Sequence, residues 1–335
     1  MKVLVTGGAG YIGSHTCIEV LKNCHDLCIV DNLSNSKKDS LERVKQITNK
    51  EFSFHNVDIC DYSSLMNVFK TFKPEAVIHF AGHKSINESI NEPLKYYYNN
   101  VFGSINLLKV MDSNDCFNIV FSSSATVYGK PEYVPIDELH RVQPENPYGQ
   151  SKLAVENILR DWSGKNKKSF ILRYFNPIGA HESGLIGECS NSVPNNLIPY
   201  IEEVILGKQA ALRIFGNDYD TKDGTGVRDF IHVEDLANSH VQALESFMKI
   251  TDYEVLNIGT GIGASVLEIL DCYNNEIGYK LPFSIESRRQ GDVSVSIANP
   301  SKAENKIGWK AAFTYSDAIK SSRNWKTKNP NGYSN

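Results

Sequence analysis

Lys2-Val3-Leu4-Val5-Thr6-Gly7-Gly8-Ala9-Gly10-Tyr11-Ile12-Gly13, at the start of the chain, is the stretch that decides the fold. The first five residues read as a buried strand, and Ile12, Cys17, Val20 and Leu21 give a helical pattern behind the glycines. Glycines at 7, 10 and 13 permit a tight turn, close backbone approach to a pyrophosphate and close helix–strand packing, with the helix N-terminus facing the negative charge. The spacing is Gly-x-x-Gly-x-x-Gly rather than Gly-x-Gly-x-x-Gly. Leu27-Cys28-Ile29-Val30 forms a second strand that ends in Asp31, 18 residues beyond Gly13. A carboxylate there accepts both hydroxyls of an adenosine ribose and repels a 2′-phosphate, which favours NAD over NADP. Lys37 and Lys38 either bear on that preference or form the first turn of an exposed helix.

Further along, strand-like runs recur at Phe52 to Val57, Ala76 to Phe80, Ile119 to Ser122 and Ser169 to Leu172, separated by segments of helical periodicity. Such alternation predicts an α/β fold: a doubly wound parallel sheet of the Rossmann type, with a cofactor cleft at the strand ends. After Asn176-Pro177 the alternation stops, and the stretch from Gly179 to Asn196 reads as the crossing into a smaller C-terminal α/β lobe. Residues 1–176 are therefore expected to bind dinucleotide and 177–335 mainly to bind substrate. Tyr253 to Gly259 is expected to return to the main sheet.

The chemistry is carried by Ser122-Ser123-Ser124-Ala125-Thr126, at the end of an apolar run, and Tyr148-Gly149-Gln150-Ser151-Lys152. A Tyr and a Lys four apart share one helix face, so the ammonium can lower the phenol's pKa and make it a base. Alone, such a pair reads as a solvated helix face; behind a glycine loop, a strand-end acid and a serine cluster it reads as a site.

In combination these motifs resemble those of the extended short-chain dehydrogenase/reductases, and within them the UDP-hexose 4-epimerases. The resemblance runs from Val3 to Asn331-Gly332-Tyr333, through Asp31-Asn32-Leu33-Ser34-Asn35-Ser36, His79-Phe80-Ala81-Gly82, Leu172-Arg173-Tyr174-Phe175-Asn176-Pro177 and Gly224-Thr225-Gly226-Val227-Arg228-Asp229-Phe230-Ile231-His232-Val233. It implies that Tyr148 removes the O4 proton of a UDP-sugar while the C4 hydride moves to NAD, with Lys152 also on the nicotinamide ribose and Ser124 donating to or relaying from O4. The cofactor set it implies comprises Gly7, Gly10, Tyr11, Ile12, Gly13, the run Asp31 to Ser36, Asp58, Ile59, Phe80, Ala81, Gly82, Lys84, Asn99, Ser124, Tyr148, Lys152 and Phe175. Asp58 fits the adenine side or the cap of a helix starting near Tyr62; the resemblance favours the former. For substrate it implies Lys84, Ser124, Tyr148, Tyr174, Asn176, Asn196, Leu197, Arg213, Ile214, Phe215, Arg228, Arg289, Asp292 and Ser296. Arg228 and Arg289 suit a diphosphate through their guanidinium forks, or else pair with Asp229 and Asp292 at the surface.

Two positions bear on the reaction. Related dehydratases place an Asp-Glu pair just after their Ser/Thr, whereas Ala125 and Thr126 stand here, so a C4 centre once oxidised can only be reduced again. Ser296 matches a place where restricted family members carry a bulky Tyr; a small residue there leaves room for an N-acetyl group, or simply sits in a strand. Rival readings are a nucleotide-sugar dehydrogenase or reductase with net NAD turnover, and a non-catalytic nucleotide sensor.

Composition agrees with a soluble enzyme. With 335 residues, 41% of them hydrophobic, the chain can bury a sizeable core, and a formal charge of −4 gives no basic footprint for nucleic acid. No apolar run approaches the roughly 20 residues of a membrane span, and the chain starts directly with a strand, so a cytosolic location is expected. Seven scattered cysteines without Cys-x-x-Cys spacing read as reduced core residues. His79 and His83 straddle a strand end, so no catalytic metal is expected. The resemblance implies a homodimer through helices near residues 92–113 and 150–162, although Tyr96, Tyr97, Tyr98, Leu107 and Leu108 equally suit ordinary core.

Overall fold

In the computed structural model, residues 1–189, 196–289 and 291–333 are described. The strands are β1 (Lys2–Thr6), β2 (Asp26–Val30), β3 (Ser53–His55), β4 (Ala76–His79), β5 (Asn118–Ser124), β6 (Lys168–Tyr174), β7 (Asn176–Ile178), β8 (Leu212–Phe215), β9 (Val227–His232), β10 (Tyr253–Ile258), β11 (Gly263–Ser265), β12 (Phe283–Glu286) and β13 (Val295–Ser296). The helices are α1 (Tyr11–Lys22), α2 (Asp39–Thr48), α3 (Tyr62–Phe72), α4 (Ile86–Asn91), α5 (Pro93–Tyr96), α6 (Gly103–Asp112), α7 (Pro147–Trp162), α8 (Leu197–Ile205), α9 (Val233–Glu245), α10 (Val266–Ile277), α11 (Ser301–Ile307) and α12 (Tyr315–Lys328). The main sheet is parallel, in the order β10-β6-β5-β4-β1-β2-β3.

The sheet is apolar on both faces because successive side chains point to opposite sides. Val3, Val5, Ile29, Ile78, Val120, Phe170 and Leu172 pack on one side with Ile18 and Leu21 of α1, Leu41 of α2 and Leu236 and Val241 of α9. Leu4, Cys28, Val30, Val77, Ile119, Phe121 and Ile171 pack on the other with Leu65 and Phe69 of α3, Leu107 of α6 and Val155 and Leu159 of α7. Each fully buried Leu or Ile contributes roughly 1.5–3 kcal/mol, so a one-residue register slip would be heavily penalised on both faces.

The direction of the chain reverses between β1→β2 and β1→β4, which opens a crevice at the carboxyl ends of these strands. Tyr253–Ile258 does pair with β6, as the sequence suggested. Helix α9 also returns, unanticipated by any local signal, to lie against α1. The second lobe holds a sheet of β7, β9, β11 and β13 and a two-stranded β8–β12 ribbon, around a core of Ile201, Ile214, Phe230, Ile269 and Tyr273. Of the crossing read at Gly179 to Asn196, residues 190–195 lie outside the described part, as do 334–335 of the tail.

Candidate active site

Two helix-start signals place the central residues. Asn146 accepts from the Gly149 N–H at 2.9 Å and Pro147 occupies the first turn, so α7 begins there and Tyr148 stands at its N-terminus, facing the end of β5. One turn on, Lys152 is buried, with Nζ donating to the Ser122 carbonyl at 2.7 Å and lying 5.9 Å from the Tyr148 ring centroid. Ser124 ends β5 and its hydroxyl bonds that of Thr126 in the 3-10 turn Ala125–Tyr128. The strand end, the turn and the helix start thus converge on one spot.

Burial pushes the Tyr148 phenol above its ordinary value; Ser124 and the charge of Lys84 pull the other way without cancelling it. Burial also lowers Lys152, to about 8, against the pull of Glu156. In the protein by itself, desolvation thus outweighs what neighbouring charges contribute at both groups. Making Tyr148 a base near neutral pH needs additional positive charge in the cleft.

The glycine loop has the shape a diphosphate requires. Gly7 has φ +72°, and a Cβ there would stand 2.7 Å from the Ala81 nitrogen; one on Gly13 would stand 2.2 Å from the Gly7 oxygen. No side chain caps α1, whose first N–H groups face the loop. Asp31 is buried and accepts from Ala9 N (3.0 Å), Leu33 N (2.8 Å) and Ser36 Oγ (2.8 Å). Three of about four acceptor directions are thus taken. These residues fit a dinucleotide whose 2′-position carries a hydroxyl.

The other expected residues divide. Asn32 bridges to Asp58 at 2.8 Å, and Asp58 also accepts from Cys60 N; the cap of α3 is Asp61, which settles that alternative against Asp58. Ser34 and Asn35 are exposed, whereas Ile59 is buried against Gly103. Phe80, Ala81 and Gly82 follow β4, with Gly82 beside Lys152, and Lys84 pairs with Glu188 at 3.0 Å. Tyr11 turns its hydroxyl to the Gly179 carbonyl. Three of the expected residues have buried side chains with partners of their own in the protein by itself. Tyr174 hydrogen-bonds His240 in the core, Phe175 packs with Val127, Tyr128 and Ile136, and Ile214 is core in the second lobe. Asn99 makes no clamp; its neighbour Asn100 does, bonding His83 N, His83 O and Ser151 Oγ within a π-helical segment, Tyr97–Phe102. Sequence reasoning also missed Glu188, the partner of Lys84. A local break in helical period would have been the only sign of the π turn.

The lobe's own cluster is reached through strand register. Ser124 lies opposite Tyr174, Asn176 opposite Phe230, and Arg228 two residues back on β9 opposite Ser296. Arg228 pairs with Asp292 at 3.7 Å rather than with Asp229, which is buried and accepts from Thr260, Gly261 and Ala298. The Arg289 guanidinium lies 3.8 Å from the Phe215 ring centroid, and that of Arg213 5.7 Å from the Tyr200 ring centroid. Asn196 is exposed and Leu197 opens α8. Cations and aromatic faces together suit a base and its phosphates. Among the described residues no group of three or more His, Cys, Asp or Glu is placed to hold a metal ion, and no helix is long and apolar enough to cross a membrane.

A glycine-loop α/β sheet with Ser, Tyr and Lys at its carboxyl edge defines a dinucleotide-dependent enzyme of the extended short-chain dehydrogenase/reductase class. The family model described as GDP-mannose 4,6 dehydratase matches residues 4–322. The UDP-glucose 4-epimerase of Bacillus subtilis (strain 168) is 49% identical over 335 residues, 99% of each chain. The crystal structure of UDP-glucose-4-epimerase from Stenotrophomonas maltophila with bound NAD and formylated UDP-arabinopyranose superposes with a TM-score of 0.96 at 44% identity, covering 98% of each chain. The UDP-Glc/GlcNAc 4-epimerase of Campylobacter jejuni superposes at 0.85, with 38% identity over 98% of this chain and 99% of that one. The chain belongs to the UDP-glucose 4-epimerase family.

Proposed function

We propose that the protein is an NAD-dependent 4-epimerase of UDP-sugars, interconverting UDP-glucose with UDP-galactose and UDP-N-acetylglucosamine with UDP-N-acetylgalactosamine. One observation carries the reading. Tyr148, Lys152 and Ser124 converge where Ala125 and Thr126 stand in place of the acid–base pair of a dehydratase. The Gly7–Gly13 loop, Asp31 and the Phe80–Gly82 strand end hold the cofactor, which when bound supplies the oxidised nicotinamide that exchanges hydride with C4. Tyr148 takes the O4 proton as the 4-keto sugar forms and returns it to O4 when C4 is reduced, whichever face of the carbonyl is presented. Bringing a phenol from about 10 to about 7 needs roughly 4 kcal/mol, more where burial opposes it. Lys152 supplies part of that, holds the nicotinamide ribose, and Ser124 holds O4.

Residues 1–176 serve chiefly the cofactor and 177–335 chiefly the UDP-sugar, with Arg228 and Arg289 on the diphosphate. Ser296, opposite Arg228 at the rim of the second lobe, leaves space for the acetamido group. Ile90, Leu94, Tyr97, Tyr98 and Phe102 form an exposed apolar face, which supports a homodimer through residues 92–113 and 150–162. These substrates suit a role in galactose metabolism or surface polysaccharide synthesis, in the cytosol expected from the sequence.

The test is incubation of the purified protein with each UDP-sugar separately, without added NAD. The 4-epimer should form with no net NADH. Conversion that needs added NAD and yields stoichiometric NADH would instead support the dehydrogenase or reductase reading, and no conversion with or without added NAD would sink both.

A further inference from the structure

Four residues from Lys152 on the same face of α7, Glu156 is almost wholly buried, and the reaction as described makes no use of it. Its carboxylate accepts three hydrogen bonds. Arg173 Nε donates to Oε1 at 3.0 Å and Nη2 to Oε2 at 2.6 Å, a bidentate fork, and the Ser123 hydroxyl donates to Oε1. Arg173 lies opposite Ser123 in the β5–β6 register, and its guanidinium stands 4.8 Å from the centroid of Tyr128, in the turn that carries Thr126. Tyr128 is in turn bonded to Asn257 of β10 at 2.6 Å.

The three serines at the end of β5 therefore divide the work. Ser122 offers its carbonyl to Lys152, Ser123 ties the strand to Glu156, and Ser124 faces the site. Two consecutive strand residues are fastened to two residues one turn apart on α7, which fixes how far Ser124 stands from Tyr148. Glu156 is also the anion that acts on Lys152. The other titratable groups facing Lys152 among the described residues are Tyr148 on α7 and His79 of β4; His79 is bonded to Thr6 and Ser104 and kept neutral by burial and by Lys152. Beyond them Lys84 acts on Tyr148, and Tyr148 on Tyr174 of β6.

We infer that Glu156 is a positioning residue for the Tyr148–Lys152 pair, setting both the distance between β5 and α7 and the electrostatic field at the Lys152 ammonium. This rests on the epimerase reading. Removing the anion while keeping the side chain's shape makes Lys152 lose its proton at lower pH, so the alkaline limb of the rate profile moves down.

The experiment measures kcat for UDP-glucose epimerisation from pH 6 to 10 in the full chain carrying Glu156→Gln. A second variant, Glu156→Gln with Arg173→Gln, leaves no unpaired buried cation and covers the case in which the first does not fold. Both should keep rates within a few-fold of the unaltered protein at pH 6.5. Their alkaline limb should move down by about one unit, roughly tenfold lower activity at pH 9. Ser123→Ala retains the anion and should lower kcat at every pH with the limb unmoved. Uniform loss in the Gln variants with the limb in place, or displacement of the limb in Ser123→Ala, overturns the inference. Titration of the Lys152 ε-carbon by NMR must show the same displacement and does not depend on the reaction, so failure of the epimerase reading and failure of this one are told apart.

Discussion

Replacing Lys152 by Met keeps an unbranched stem beside Phe121, whose ring centroid lies 5.0 Å from Nζ, and deletes the charge. Taking the 5.9 Å separation from the Tyr148 ring and an effective dielectric of about 20, the ammonium stabilises a phenolate by about 3 kcal/mol. That equals about two pH units. Without the cation the phenolate becomes harder to form, so the acid limb of the kcat profile should climb by about two units and activity at pH 7 should fall about a hundredfold. Much of the loss should return at pH 9 to 10. The lost bond to the Ser122 carbonyl adds a deficit that does not vary with pH. The assay is steady-state epimerisation of UDP-glucose across that range, with bound NAD measured in parallel. An acid limb in its original place, with an equal loss at every pH, would refute the electrostatic role and leave Lys152 as a ribose anchor alone.

Gly13→Ala drives a Cβ to 2.2 Å from the Gly7 oxygen. Overpacking of about 1–3 kcal/mol should lower NAD affinity about ten- to a hundredfold, seen as cofactor lost on gel filtration; full retention would contradict the loop's proposed role. Ser296→Tyr should leave UDP-glucose turnover within a few-fold and cut that of UDP-N-acetylglucosamine at least about tenfold, a split read from product ratios; full activity on the acetylated sugar would count against the reading. Acid should destabilise the fold steeply. Burial depresses His15, His79 and His240 to about 3 and His232 to about 4, so their contribution is present above about pH 6.5 and is lost as pH falls. Glu234, raised by burial to about 7, works in the opposite sense and offsets one of them. Between pH 6.5 and 5 the net uptake of about three protons on unfolding should cost about 4 kcal/mol per pH unit, measurable by urea titration. A pH-independent midpoint would show that these histidines open to solvent.

Strands of the first half were legible because both faces of a parallel sheet are buried, so Val3–Val5 or Ile119–Phe121 read as unbroken apolar runs. The start of α7 was also legible, since Asn146-Pro147 is a local signal. What escaped was decided by partners remote in sequence. Tyr174 and Phe175 stand next to Asn176 in a motif, but alternation along the chain sends their rings into two different core clusters. Asp58 and Asp61 offer the same chemistry at a helix start, and only backbone geometry selects Asp61. The clamp at Asn100 depends on a wide turn that shifts the inward face by one residue relative to an ordinary helix.

The covering of the sheet by α9, and the pairing of β10 with β6, have a consequence for synthesis of the protein on the ribosome. When residue 176 has been translated, Phe170 and Leu172 still lack the layer that will hide them, and the last strand of the sheet has not been made. Residues 1–176 thus lack part of the core and one strand of the sheet they belong to. Expressed on their own they should associate or be degraded, and in the nascent chain they must wait for some eighty further residues before they can close.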